Sequence, residues 1–274
     1  GDLNNDHLPD LYVTVNGRNL VYRNYGNGDF RDVTAWAGQA DTPGWSHQGF
    51  LFDYDRDGYL DIFFTNGPED GSGFNTLVRN QGDGTFEDVT EFSGVKGDPS
   101  GKGSCVIDAN VDGWPDVFVA TGREFGNHLF INQGDGTFDD QALEWGVSDP
   151  FQRFGIGPTC GDINNDGLPD IFLVTHDAWW SGNLLYMNQG GYFSELAQDA
   201  GVDEYLDGHG NAMTDVDNDG FLDFVISGIG TQPKILMNRQ DETFGDVCYG
   251  GGLSQQNGLT WAVVPGDING DGFP

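Results

Sequence analysis

The chain has 274 residues, of which 44 are acidic and 11 basic, giving a formal charge of −33. That negative field argues against nucleic acid or an anionic membrane surface as partner, and no apolar run approaches the roughly eighteen residues of a membrane-spanning helix. With 20 Phe, 9 Tyr and 7 Trp there is ample material for a packed core, which excludes a disordered chain.

Taken in chain order, the first feature is a nine-residue acidic loop, 2–10, with Asp2, Asn4, Asp6, Leu8 and Asp10 at its odd positions. It returns as Asp53, Asp55, Asp57, Tyr59 and Asp61, then as Asp108, Asn110, Asp112, Trp114 and Asp116. Further copies are Asp162, Asn164, Asp166, Leu168 and Asp170, and Asp215, Asp217, Asp219, Phe221 and Asp223. A sixth, with Asp267, Asn269 and Asp271, stops one residue short of its last carboxylate. The first aspartates recur every 51 to 55 residues. Such a period means that one supersecondary unit has been copied in tandem.

The loop has the chemistry of a calcium cage. Calcium takes six to eight oxygen ligands in a forgiving geometry, whereas magnesium demands a strict octahedron at shorter distances. Side-chain oxygens at positions 1, 3 and 5 can converge if the backbone curls, and Gly at position 6 permits the positive φ that a curl needs. Position 7 then offers its carbonyl, and the Asp at position 9 closes the cage. Soft metals are excluded by the absence of Cys from every loop position. The competing reading of any single copy is an Asx-rich turn without an ion; six copies in register argue against it. His7 stands where the other loops have Gly, so the first site is expected to be weaker or distorted. Four to five Ca²⁺ ions are expected for the chain.

Between loops the unit reads as short strands. Residues 48–52 enter the second loop, 60–65 leave it rich in β-formers, 75–80 follow a Gly-rich gap, and 85–90 alternate after a Gln-Gly-Asp-Gly turn. Gly-rich and Asp-Gly doublets between alternating runs are hairpin signals. Four short antiparallel strands per fifty-odd residues give an all-β fold, a β-propeller of four-stranded blades. The chain is taken as a single domain, 1–274.

The D-x-[DN]-x-D-G-x-x-D loop is followed by [LF]-[FY]-x-N-x-G-[DN]-G-x-F-x-[DE]-V-T and a Gly-Val close. This combination resembles the FG-GAP/VCBS repeat, and Asn24 to Phe30 with Asp32-Val33-Thr34, and Asn80 to Phe86 with Asp88-Val89-Thr90, resemble the cartilage-acidic-protein group associated with ASPIC/UnbV domains. The resemblance covers the whole chain. It implies a seven-bladed ring of the integrin α-subunit type, with calcium held between the first two strands of a blade. It also implies that the odd loop positions named above are the ligands, position 7 acting through the carbonyls of Leu8, Tyr59, Trp114, Leu168 and Phe221.

Counted by strands, the sequence holds the last three of a first blade, four complete blades, and at 259–264 the first strand of a sixth. The loop duplicated at both ends favours a piece of about five blades from a larger, multi-domain protein over a closed five-bladed ring. In a four-stranded blade the calcium loops and Gln-Gly-Asp-Gly turns share one face. The variable segments 67–73, 122–127 and 175–183 share the other with the blade connections, and loops of differing sequence on a rigid scaffold are the default binding surface. Trp179 and Trp180 are the candidate aromatic platform there, or else packing residues. His47 and His209 share a repeat position near the central channel, where they could hold a metal or simply line the channel. Cys105, Cys160 and Cys248 form no framework; buried free thiols are favoured, with one disulfide as the alternative. No catalytic constellation emerges. The expected function is a secreted or cell-surface module binding a protein or glycan, the alternative being a propeller hydrolase or lyase acting at the channel mouth.

Overall fold

The computed structural model of the chain describes residues 1–38, 43–67, 73–122, 125–151, 153–176, 182–203, 208–228, 233–247, 262–267, 270 and 272. The chain divides into two compact units, 1–108 with 112–142, and 109–111 with 143–274.

In the first unit the strands are β1 (Leu11–Val13), β2 (Asn16–Arg18), β3 (Leu20–Asn24) and β4 (Phe30–Asp32), then β5 (Pro43–Phe52), β6 (Asp61–Asn66), β7 (Thr76–Asn80) and β8 (Phe86–Asp88). These are followed by β9 (Gly101–Ile107), β10 (Asp116–Thr121), β11 (His128–Asn132) and β12 (Phe138–Asp140). The second unit holds β13 (Gly155–Gly161), β14 (Asp170–Thr175), β15 (Leu184–Asn188) and β16 (Phe193–Glu195). It continues with β17 (Gly208–Thr214), β18 (Asp223–Gly228), β19 (Lys234–Asn238) and β20 (Phe244–Asp246). Each run of four is an antiparallel meander, and β1, β3 and β4 form the expected three-stranded sheet. The fold is all-β, built of propeller blades.

Side-chain alternation explains the packing. The second strand of each four-stranded blade is buried on both faces, as in the fully buried β6, because each face meets a different neighbour. Ile62, Phe64 and Val78 join Leu3, Val21 and Phe86 in one cluster. Phe63 and Leu77, one residue out of step, join Val117, Val119 and Phe130 in another. The period of two thus sends successive residues to successive blades, and each buried Phe contributes about 2 kcal/mol by area. In the second unit Phe172 and Phe224 stack at 4.1 Å in the equivalent place.

Three features depart from the sequence reading. First, β2 adds a fifth strand to the second sheet, pairing Asn16 with Trp45 and Arg18 with Pro43, so β5 begins five residues before the expected 48. Second, the expected strand 85–90 is cut to three residues. The Asp88 carboxylate accepts the Thr90 N–H at 2.9 Å, and a helical turn Thr90–Ser93 follows, ended by Gly94 at φ 82°. Residues Ala197–Ala200 form its counterpart. The Asx turn and the left-handed glycine together override the alternating pattern. Third, Cys105 and Cys160 are disulfide-bonded rather than free thiols. Disulfide formation depends on Cβ geometry, which chain spacing does not reveal. Of the expected strand 259–264, residues 259–261 lie outside the described residues and 262–264 are not in a strand.

Candidate metal centre

Each acidic loop is a compact backbone cage built by its own carboxylates. In the second loop Asp53 accepts the N–H of Asp57 at 3.0 Å on Oδ1 and of Gly58 at 2.9 Å on Oδ2. Asp57 accepts the N–H of Tyr59 at 3.0 Å. The same bonds recur from Asp108, Asp162 and Asp215 to Gly113, Gly167 and Gly220, all three glycines lying at φ 86–94°. His7, at φ 69°, donates to Asp2 at 2.7 Å in the same way. The distortion expected of the first loop is therefore absent from its backbone.

The position-9 aspartates hold the cage to the blade. Asp61 is fully buried; its Oδ2 accepts from Tyr54 N–H at 3.1 Å and its Oδ1 from Asn80 N–H at 2.8 Å. Asp170 repeats this with Ile163 and Asn188, and Asp223 with Val216 and Asn238. Burial is the leading force on Asp61, opposed by those two N–H groups and reinforced by Asp55 and Asp57. Its carboxyl is pushed up to about 7. Asp170 is pushed up to about 7 as well, by burial and by Asp166 and Asp162. Tyr54 rises to about 12 through burial and the loop acids. These are the environments in which an anion lacks a compensating charge.

Where position 3 is also a carboxylate, the convergence is measurable. Single oxygens of Asp53, Asp55 and Asp61 lie within 4.8 Å of one another, as do those of Asp215, Asp217 and Asp223. Two oxygens bound to one calcium at 2.3–2.6 Å lie at most about 5 Å apart, so this spacing suits a single ion. The donor set is wholly oxygen, so the residues fit calcium by chemistry and spacing. In the sixth loop Asp267 accepts from Gly270 and Gly272, while Asn269 and Asp271 lie outside the described residues.

Two sets of residues were not singled out by the sequence reading. The strand-ending asparagines tie one blade's loop to the next. Asn80 Nδ2 donates to Leu3 O at 2.8 Å and Leu60 O at 3.0 Å; Asn132 does so to Tyr54 and Pro115, and Asn238 to Ile163 and Leu222. The invariance of this Asn across the repeats was the available signal. Position 4 of the loop is also left-handed, at φ 55–60° in Asn5, Arg56, Val111, Asn165 and Asn218. Its asparagines reach the following loop, Asn5 to Gly58 O at 3.0 Å and Asn165 to Gly220 O at 2.9 Å.

The loops and Gly-rich turns do share an end of each blade. Tyr59 lies against Gly82, where a Cβ would meet the ring at 2.9 Å, and Trp114 lies so against Gly134; with φ at 73° and 71°, only glycine serves there. The candidate platform residues Trp179 and Trp180 lie outside the described residues. His47 Nε2 lies 3.1 Å from Lys102 Nζ, and His209 meets His176 edge-on at 4.6 Å. Among the described residues no helix is long and apolar enough to cross a membrane.

A family model described as FG-GAP-like repeat matches residues 2–64, 53–119, 108–173, 162–226 and 215–274. Cartilage acidic protein 1 of Xenopus tropicalis is 29% identical over 197 residues, covering 63% of this chain and 29% of that protein. The mouse protein of the same name is 27% identical over 162 residues, 56% of this chain and 24% of its own length. The chain thus spans less than a third of these relatives. A lectin from Agrocybe aegerita, solved for its recognition of non-reducing terminal N-acetylglucosamine, superposes with a TM-score of 0.52. It shares 21% identity, and the match covers 86% of this chain and 61% of the lectin.

Proposed function

Because the chain belongs to the FG-GAP-like repeat family, we propose that it is a calcium-stabilised extracellular module that binds a protein or a glycan. The observation that carries the calcium reading is the convergence of Asp53, Asp55 and Asp61, and of Asp215, Asp217 and Asp223, each with one acid buried and its carboxyl raised by that burial. A divalent cation offsets that burial and the mutual repulsion of the loop acids. Calcium would be held by the side chains at positions 1, 3, 5 and 9, with the position-7 carbonyl, and its chemistry is structural.

Export is supported by two things: the disulfide-bonded state of Cys105 and Cys160, and relatives named for cartilage. Binding is supported by the repeat scaffold, which offers loops of differing sequence on rigid blades. The lectin's sugar recognition puts a glycan among the ligand classes to be tried first.

The test is calorimetric melting with calcium and with EDTA, followed by glycan and protein arrays. A ligand at a hundredfold its Kd stabilises by about 2.7 kcal/mol per site, so calcium should raise the Tm by many degrees. An unchanged Tm would remove the cage reading, and silent arrays under calcium would remove the binding one.

A further inference from the structure

We propose that Arg79 is an internal cation of the second loop, with Arg23 its counterpart in the first, and that the chain's divalent-cation sites therefore fall into two affinity classes. The two-class part rests on the calcium reading; the internal-cation part does not.

The register carries the inference. The third strand of every blade ends in the asparagine that holds the loop, and the residue before it is Arg23, Arg79, Ile131, Met187 and Met237 in turn. One repeat position is thus cationic beside the first two loops and apolar beside the next three. Arg79 Nη2 donates to Asp57 Oδ2 at 3.2 Å. Its Nε lies 2.7 Å from Asp55 Oδ2 but without hydrogen-bond alignment, so that attraction is ionic. Arg23 Nη2 reaches Asp6 Oδ2 at 3.2 Å. Asp55 and Asp57 are loop positions 3 and 5.

An isolated exposed pair of this kind contributes little. Arg79, however, meets two carboxylates of one cage, and Asp53 and Asp61 complete the same cage. The guanidinium therefore neutralises a cluster rather than one partner, and its planar fork is suited to several oxygens at once. A divalent ion entering that cage must settle beside a fixed positive charge, which weakens it. The third, fourth and fifth loops have no arginine at this register. The expected order is three tighter sites and two weaker ones.

Arg79→Met tests this in the full chain, because Met already occupies the register in two blades and its side chain is accommodated there. Isothermal calcium titration should find three sites in the tight class of the wild type and four in R79M, with the added site at least tenfold tighter. In EDTA, R79M should melt several degrees below the wild type, having lost the charge that balanced its acids. Arg79→Lys, which keeps the charge, should keep three tight sites. An unchanged tight class together with an unchanged melting point in EDTA overturns the inference, and so does weaker calcium binding in R79M. Should neither protein bind calcium, the cage reading fails separately. A lower melting point of R79M in EDTA then upholds the internal-cation role, and an equal one overturns it.

Discussion

Val111 occupies position 4 of the third loop at φ 55°, a left-handed backbone that β-branched side chains resist. It is 53% exposed, so replacing it sacrifices no core. Left-handed geometry costs an L-residue about 1–2 kcal/mol, and Asn tolerates it best. In three other loops an Asn at this position also donates to the next loop's position-6 carbonyl at 2.8–3.0 Å, a bond worth about 1 kcal/mol net. Val111→Asn should gain both terms, roughly 2 kcal/mol, which at about 2–4 °C per kcal/mol raises the Tm by about 4–8 °C in a calorimetric scan. Val111→Gly separates the terms. It relieves the strain without the hydrogen bond and loses roughly 0.4–1 kcal/mol to the entropy of the unfolded chain, so its gain should be near 1 kcal/mol or less. If Val111→Asn melts no higher than the wild type, or no higher than Val111→Gly, the argument from loop position 4 is refuted.

Other perturbations follow from the same geometry. Asp166 accepts the Leu168 N–H at 2.8 Å and the Asn164 amide at 3.0 Å. Asp166→Ala should therefore cost about 1 kcal/mol in EDTA and about 2–4 kcal/mol in calcium; equal losses in both would make it a turn residue alone. Asp140 is opposed by burial, yet His128 Nδ1 at 2.6 Å and the N–H groups of Ala142 and Leu129 hold its carboxyl below the ordinary value of 3.8. A depressed folded pKa gives stability that is present above the unfolded value and lost as pH falls through the folded one. Asp140→Asn should thus be less stable near pH 6, by under roughly 1 kcal/mol once solvent screening is allowed for. Its melting curve should converge on the wild type's as the pH falls below the ordinary carboxylate value and through the depressed folded one; a constant gap would rule out linkage.

The cages and the strands were legible in the sequence because their causes are local. An aspartate bonding the backbone two to five residues on, a glycine at φ near 90°, and side chains alternating along β6 act within one loop or one strand, and five or six copies repeat the message. The three strands of the first sheet and the four-stranded meander of each later blade required only counting, whereas the fifth strand that β2 adds to the second sheet did not show in the sequence. What the sequence left undecided lies across the fold. Position 4 looks unconstrained until Asn5 is seen reaching Gly58, 53 residues away. Asn80 is one more polar strand end until its amide meets Leu3 O, 77 residues back. Arg79 could face solvent as well as a cage; the register of β7 against its own loop turns it to Asp55 and Asp57. That Cys105 and Cys160 are disulfide-bonded rests on Cβ geometry, which spacing along the chain does not show. Local chemistry wrote the loops into the chain, and only the stacking of one repeat on the next determined which side chains bind them together, since those partners meet once the blades have packed.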